Sequence, residues 1–211
     1  MSTGEYWDGA SGVTVTGLGA STWAPIVGTN SFLQGTDTNR PSYANGILTF
    51  DGTDNFMATA GFTLDQPVTV FVAFSQTTWA ASDAVFDGIH GLGVGYAALV
   101  QNGGASPELV IFAGTGNIPV AGDANLATGT LGIAVCIFNG ASSSLQVNLN
   151  AASTGDAGAN NLGGFTLGAN GDPGGYCACA ISGFGYSTGA LTAGQITQTV
   201  RAMGRRYGIS V

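Results

Sequence analysis

The chain of 211 residues is 45% hydrophobic but only 8% charged, where an ordinary globular chain is roughly a quarter charged. Its 12 acids face 4 arginines and no lysine, a net charge of −8, which repels phosphate backbones and anionic bilayers and argues against nucleic acid and membrane surfaces as partners. The 36 glycines follow no Gly-x-y period, and apolar runs separate them. Collagen and disorder are therefore set aside in favour of a single domain of many short strands joined by tight turns.

The opening MSTGEYWDGASG has neither the basic flank nor the apolar stretch of an export signal, and no apolar run approaches the ~20 residues that span a bilayer. Cys136, Cys177 and Cys179 are odd in number. The last two share a strand face where a bridge between them is strained. Buried free thiols, assembled in a reducing compartment, are the expectation.

Residues 1–45 read as an irregular N-terminal arm in which Trp7 and Trp23 are large apolar anchors. The two readings of these tryptophans are pins across the fold or sugar-stacking platforms. From Ile47 the sequence commits to β-structure. Ile47 to Phe50 and Phe56 to Thr59 are short apolar runs, and the turn residues Asp51, Gly52, Thr53, Asp54 and Asn55 between them predict a hairpin. Next comes VTVFVAFS, apolar on both faces, which predicts the interior strand of one sheet in a two-sheet sandwich.

The segment QTTWAASDAVFDGIHGLGVGYAALVQNGG reads as a connection carrying Trp79 and Asp83, then short strands at residues 84–86 and 93–101. His90, the only histidine, could act as a general base oriented by Asp87, but three residues apart in a glycine-rich loop is poor geometry for that pair. ELVIFAGTG is a further strand, and the segment around Asn117, Asp123 and Asn125 an exposed loop. LGIAVCIFN is a second strongly apolar strand. SSSLQVNLNAAS alternates with Leu145, Val147 and Leu149 inward. Two more strands flank a glycine-rich turn at residues 172–175.

One helix closes the chain at about 192–207. Thr192 and Gln195 form a capping box, Ile196, Val200, Met203 and Tyr207 recur on one face, and Gly208 suits the residue beyond the helix end. Arg201, Arg205 and Arg206 make this end basic on an acidic body. With Trp7 of the arm they form the expected assembly interface of a homo-oligomer, alongside the alternative of a solvated helix face.

Taken together, Trp7-Asp8, Trp23, Gln34, Arg40-Pro41, FDGTDNFM at residues 50–57, the VTVFVAFS strand and ALTAGQI leading to RRYGI resemble the concanavalin A-like lectin/glucanase domains, specifically the laminin-G-like domains of phage and bacterial surface proteins. The resemblance implies an all-β, two-sheet antiparallel jelly roll whose loops or concave face bind glycans, sometimes with calcium. Relatives that hydrolyse β-glucans carry closely spaced acids on one strand. Here the only glutamates are Glu5 and Glu108, so the expectation is that the chain is not an enzyme.

Three readings follow. The first is a phage virion component, a capsid decoration, fibre or tail protein, that contacts other virion proteins and cell-surface glycan. The second is a free-standing lectin, and the third a glycosidase or lyase. The carbohydrate-binding candidates are Trp79, Tyr96, Asn117, Asp123, Asn125, Asp172 and Tyr176. No cofactor is expected. Calcium has three small oxygen clusters to consider: Asp51, Asp54 and Asn55; Asp123 and Asn125; Asn170 and Asp172. All three also serve as turn residues bonding their own backbone.

Overall fold

The computed structural model describes residues 4–89, 97–103, 107–114, 118–119 and 126–211. In chain order its strands are β1 (Gly4–Asp8), β2 (Val13–Thr16), β3 (Gly19–Trp23), β4 (Phe32–Leu33), β5 (Ser42–Ala44), β6 (Ile47–Asp51), β7 (Met57–Ala58), β8 (Val68–Gln76) and β9 (Ala84–Asp87). They continue with β10 (Ala97–Gln101), β11 (Leu109–Ala113), β12 (Ile118–Pro119), β13 (Gly132–Phe138), β14 (Ser143–Val147), β15 (Ser153–Gly155), β16 (Thr166–Leu167) and β17 (Ala178–Thr188), before the helix α1 (Ala193–Tyr207).

All sheet pairings between these strands are antiparallel, and they form two sheets. The first runs β15-β14-β13-β8-β17-β6-β5, with β1 also on β17. Strand β17 is long enough to take β6 along residues 178–181 and β1 along residues 183–187 of the same edge. The second sheet runs β12-β11-β10-β9-β16-β7-β4-β3-β2. This is the all-β sandwich expected from the alternation of apolar residues.

The space between the sheets is filled mainly by aromatic rings. Phe184 meets Phe165 at 5.0 Å and Phe86 at 5.6 Å in edge-to-face pairs, and Trp7 meets Phe32 at 4.9 Å, arrangements that add roughly 0.5–1.5 kcal/mol each beyond area burial. A second apolar layer explains why β8 and β13 are apolar on both sides. Val68, Val70, Val72 and Phe74 face the other sheet, while Ala73, Ile133, Val135 and Ile137 on the outer face are covered by Ile196, Val200 and Met203 of α1. The helix is held as the sequence predicts. Thr192 accepts from the Gln195 N–H, Gln195 reaches back to the Thr192 N–H, and Gly208 ends the helix at φ 70°.

Three expectations change. The N-terminal arm is not irregular, because β1 to β5 all lie within it. Residues 47–59 are not a hairpin: β6 pairs with β17 and β5 in one sheet, β7 with β16 and β4 in the other. The turn between them therefore crosses from sheet to sheet. Its residues still do what their chemistry dictates, since Asp51 Oδ1 accepts the backbone N–H groups of Thr53, Asp54 and Asn55. Leu149 turns from the sandwich core to the helix layer, because β14 stops at Val147 and Asn148 takes a positive φ of 55°.

Trp7 is also corrected as an interface residue. It is fully buried and its indole N–H donates to the Asn30 carbonyl at 3.1 Å, so it pins the fold from within. Trp23 does the same, donating to the Asp8 carbonyl at 3.1 Å. The three cysteines are buried and free. Burial pushes the Cys136 thiol well above its usual range, and Cys177 is raised by its hydrogen bond with Cys179 and then by burial.

Candidate functional site

Strands β10 and β11 place a second set of side chains on the outer face of the second sheet. Leu99, Leu109 and Ile111 point into the core, so the strand period of two sends Ala98, Val100, Val110 and Phe112 outward. There, with Ala84 of β9, they form a small apolar cluster of their own. Beside it opens a hollow of about 350 Å³ with Val100, Val110 and Phe112 as floor and Ser82, Asn102, Gly103 and Asn170 at the rim. That volume lies in the range of small-ligand sites, roughly 300–1,000 Å³.

The rim comes from three loops, and buried polar groups fix where each of them stands. Gln101 turns inward and donates to Gln76 Oε1 of the opposite sheet at 2.7 Å and to the Thr78 carbonyl at 3.0 Å, while its own oxygen accepts the Ala80 N–H at 2.8 Å. Trp79 is thus held by its two neighbours. Asp87 is completely buried. Its Oδ1 accepts the N–H groups of Gly88 and Ala97, and its Oδ2 accepts that of Gly171, tying the ends of β9 and β10 to the loop after β16. Asn170 accordingly reaches the rim, and that loop closes on itself through the Asn170 N–H to the Gly174 carbonyl at 2.9 Å. On the far side Asn102 donates its side-chain amide to Glu108 Oε2 at 2.6 Å.

Besides Asp87 and Asp172, Glu108 and Asp83 lie at this end of the sheet. Glu108 is joined to the rim through Asn102. Asp83 is held above the usual carboxylate range by burial, and its charge acts on Cys177 of the core. The Trp79 indole nitrogen is enclosed without a hydrogen-bond partner.

Of the residues singled out for carbohydrate binding, Trp79, Asp172 and Tyr176 stand on the two loops that supply Ser82 and Asn170. Trp79 and Tyr176 are half-buried and Asp172 is exposed. Tyr96, Asn117, Asp123 and Asn125, together with His90, lie outside the described residues. Asp87 serves as an anchor for backbone N–H groups. Ser82, Asn102 and Phe112 were missed, and Asn170 was considered only as a calcium ligand beside Asp172. The signal that pointed to them is that ELVIFA is apolar on both faces without being a central strand of the core.

At the helix, Arg206 is taken by Asp8 at 2.6 Å, and the Tyr207 and Tyr6 hydroxyls meet at 2.5 Å. Arg201 and Arg205 are exposed beside a shallow hollow formed with the last residues of the chain. Among the described residues no group of three or more His, Cys, Asp or Glu is gathered for a metal. The cluster at the sheet-crossing turn does not fit calcium: Asp51 Oδ1 is occupied by backbone donors and Asn55 turns its amide N–H toward Asp54.

No family model and no curated protein matches the sequence. Solved structures do share the fold. The sialidase of Trypanosoma rangeli aligns over 96% of this chain and 33% of its own, with a TM-score of 0.68 and 10% identity. Its complex with sialic acid aligns over the same shares with a TM-score of 0.64 and 11% identity. An α-L-arabinofuranosidase of the GH54 type, soaked with a cyclic sulfate inhibitor, aligns over 86% of this chain and 50% of its own, with a TM-score of 0.65 and 13% identity. At these identities the likeness is one of fold, and the chain spans only a third to a half of these enzymes. The expectation that the chain is not an enzyme is nevertheless corrected, because the neighbours named here are a sialidase and an arabinofuranosidase.

Proposed function

We infer that the chain is a glycan-recognising β-sandwich whose ligand lies in the hollow on the outer face of the second sheet. The observation that carries this reading is the composition of the hollow. Phe112 with Val100 and Val110 offers an apolar surface for the C–H face of a sugar ring, while Ser82, Asn102, Asn170 and, through Asn102, Glu108 offer donors and acceptors spaced around it for its hydroxyls.

A jelly-roll winding is part of the proposal. What supports it is that β16 and β17, late in the chain, sit between early strands in both sheets, β16 between β7 and β9 and β17 between β6 and β8. We place the module on a phage particle, on the sequence resemblance alone. Antibody labelling of purified particles tests that setting and fails if the label stays with the unassembled lysate fraction.

The test of recognition is a glycan array that includes sialosides and arabinofuranosides, the sugars named for the enzymes of like fold. Wild-type protein is expected to bind a subset, and Asn102→Ala and Phe112→Ala to lose that binding at least tenfold. A blank array for the wild type, or binding untouched in both variants, overturns the reading.

A second reading, hydrolysis of the bound glycoside, is favoured by the same fold likeness and by the position of Glu108 beside the rim. Glu108→Gln separates the two: it leaves binding but removes turnover if Glu108 acts on the glycosidic oxygen. Unchanged turnover excludes that role.

A further inference from the structure

Between Asp8 and Asp37 the sequence carries no charged side chain, although the whole molecule stands at −8. Among the described residues, the exposed large hydrophobics concentrate in that stretch: Val15, Leu18, Ile26, Val27 and Leu33, with Leu18 70% and Val15 51% exposed. Only Ile47 and Val211 lie elsewhere. This neutral, apolar segment includes β2, which ends the second sheet and pairs, among the described residues, with β3 alone.

Among the described residues nothing pairs with the outer edge of β2. The N–H of Ala20, which lies opposite Val15, goes to the Pro41 carbonyl at 2.9 Å and not to β2. Val15 and Ala20 are therefore a non-hydrogen-bonded pair, and the N–H and C=O of Val15 point out from the sheet edge. One period earlier, Ala24 donates to the Gly12 carbonyl, so Val13 opposite Trp23 faces outward in the same way. Sheets normally guard such an edge with lysine, proline or a bulge on the edge strand. The sequence of β2, VTVT, has no lysine or proline, and the bulge in this hairpin falls on β3, where Ser21 is the residue skipped between Thr22 and Ala20. Arg40 closes one end by donating to the Thr16 carbonyl.

We propose that β2 is the dimer interface of this chain, pairing antiparallel with β2 of a second copy about a two-fold axis so that the second sheets of the two copies become continuous. An outward-facing antiparallel edge is its own complement: Val13 of one copy meets Val15 of the other and exchanges both backbone bonds, and Thr14 meets Thr14 on the axis. This fits the isologous geometry of the commonest homo-oligomers. It is also the edge where two acidic molecules bring no like charges together. The exposed part of Val15 is covered by its counterpart. The inference is independent of the glycan reading, since the hollow lies among β9 to β11, well along the sheet.

The test uses the full chain. Sedimentation velocity is expected to show a dimer for the wild type, and a monomer with unchanged circular dichroism for Val15→Lys, which sets two cations against each other across the axis. Thr14→Cys supplies an independent readout. Its pair is non-hydrogen-bonded, with Cα atoms roughly 4.5 Å apart, within disulfide range, and the native thiols are buried. Mild oxidation is expected to give a covalent dimer on non-reducing gels, and Val15→Lys in the same chain to abolish it. A wild-type monomer, or a dimer that survives Val15→Lys and gives no cross-link at position 14, overturns the proposal.

Discussion

Asp87 shows how much one buried side chain holds. Its carboxylate takes the backbone N–H groups of Gly88, Ala97 and Gly171, of which Gly88 also donates to the Ala97 carbonyl at 3.2 Å, so losing it costs chiefly the bonds of Ala97 and Gly171. Hydrogen bonds to a charged group are worth roughly 1.5–3 kcal/mol and stranded donors cost more. Asp87→Ala is therefore expected to lower unfolding free energy by about 3 kcal/mol or more in urea titrations, with the loop bearing Asn170 losing order first. A cost below about 1 kcal/mol would mean that other bonds define that loop.

The tyrosines fix the alkaline limit. Burial, and then the Glu5 charge, push Tyr186 up to about 12. Burial likewise raises Tyr6 and Tyr207, whose shared hydroxyl bond further holds the Tyr207 proton. A group that keeps its proton more tightly when folded adds stability that is complete below its unfolded pKa, about 10 for a phenol. That stability is lost as pH climbs through the folded value. Stability is thus expected to be level up to about pH 10 and to fall between pH 10 and 12, with tyrosinate absorbance rising together with unfolding. Absorbance that rises near pH 10 while the fold is intact would contradict this.

Among the elements, α1 was the most legible. Its capping box, its apolar stripe and its final glycine are all local signals, and all three operate as read. Thr192→Ala is expected to cost about 1 kcal/mol, measured by equilibrium denaturation. The strands β8 and β13 were equally plain, because a run that is apolar on both faces needs cover on both. What the sequence did not disclose is what covers them, since the sheet that meets Val70 and the helix that meets Ala73 come from distant parts of the chain.

The turn at residues 51–55 misled for a related reason. Asp51 and Gly52 specify a tight turn, but a turn looks the same in sequence whether the chain returns to the same sheet or crosses to the other. The N-terminal strands were hidden by their shortness and their Ser, Thr and Gly content. The candidate site was legible only as loops. Gln76 and Gln101, which meet across the two sheets, carry no local pattern that pairs them. Gln76→Leu strands the Leu126 carbonyl and one contact of Gln101, and is expected to cost about 1–2 kcal/mol and to loosen the Trp79 loop. Unchanged amide exchange at residues 77–83 would show that the loop stands without it.

For the whole molecule, two acidic sheets must stay soluble with few charges, and this chain concentrates its exposed apolar side chains where charge is absent. A dimer joined at β2 would carry two hollows in fixed relation, so a surface with repeated glycans would be gripped with an effective concentration that one site cannot supply. Amide chemical-shift mapping of the isotope-labelled chain, titrated with the strongest array glycan, locates the ligand. Saturable shifts are expected at Asn102, Gly103, Phe112 and Asn170, with β2 unmoved. Shifts confined to the first sheet or to the helix end around Arg201 and Arg205, or none at saturating glycan, would contradict that location.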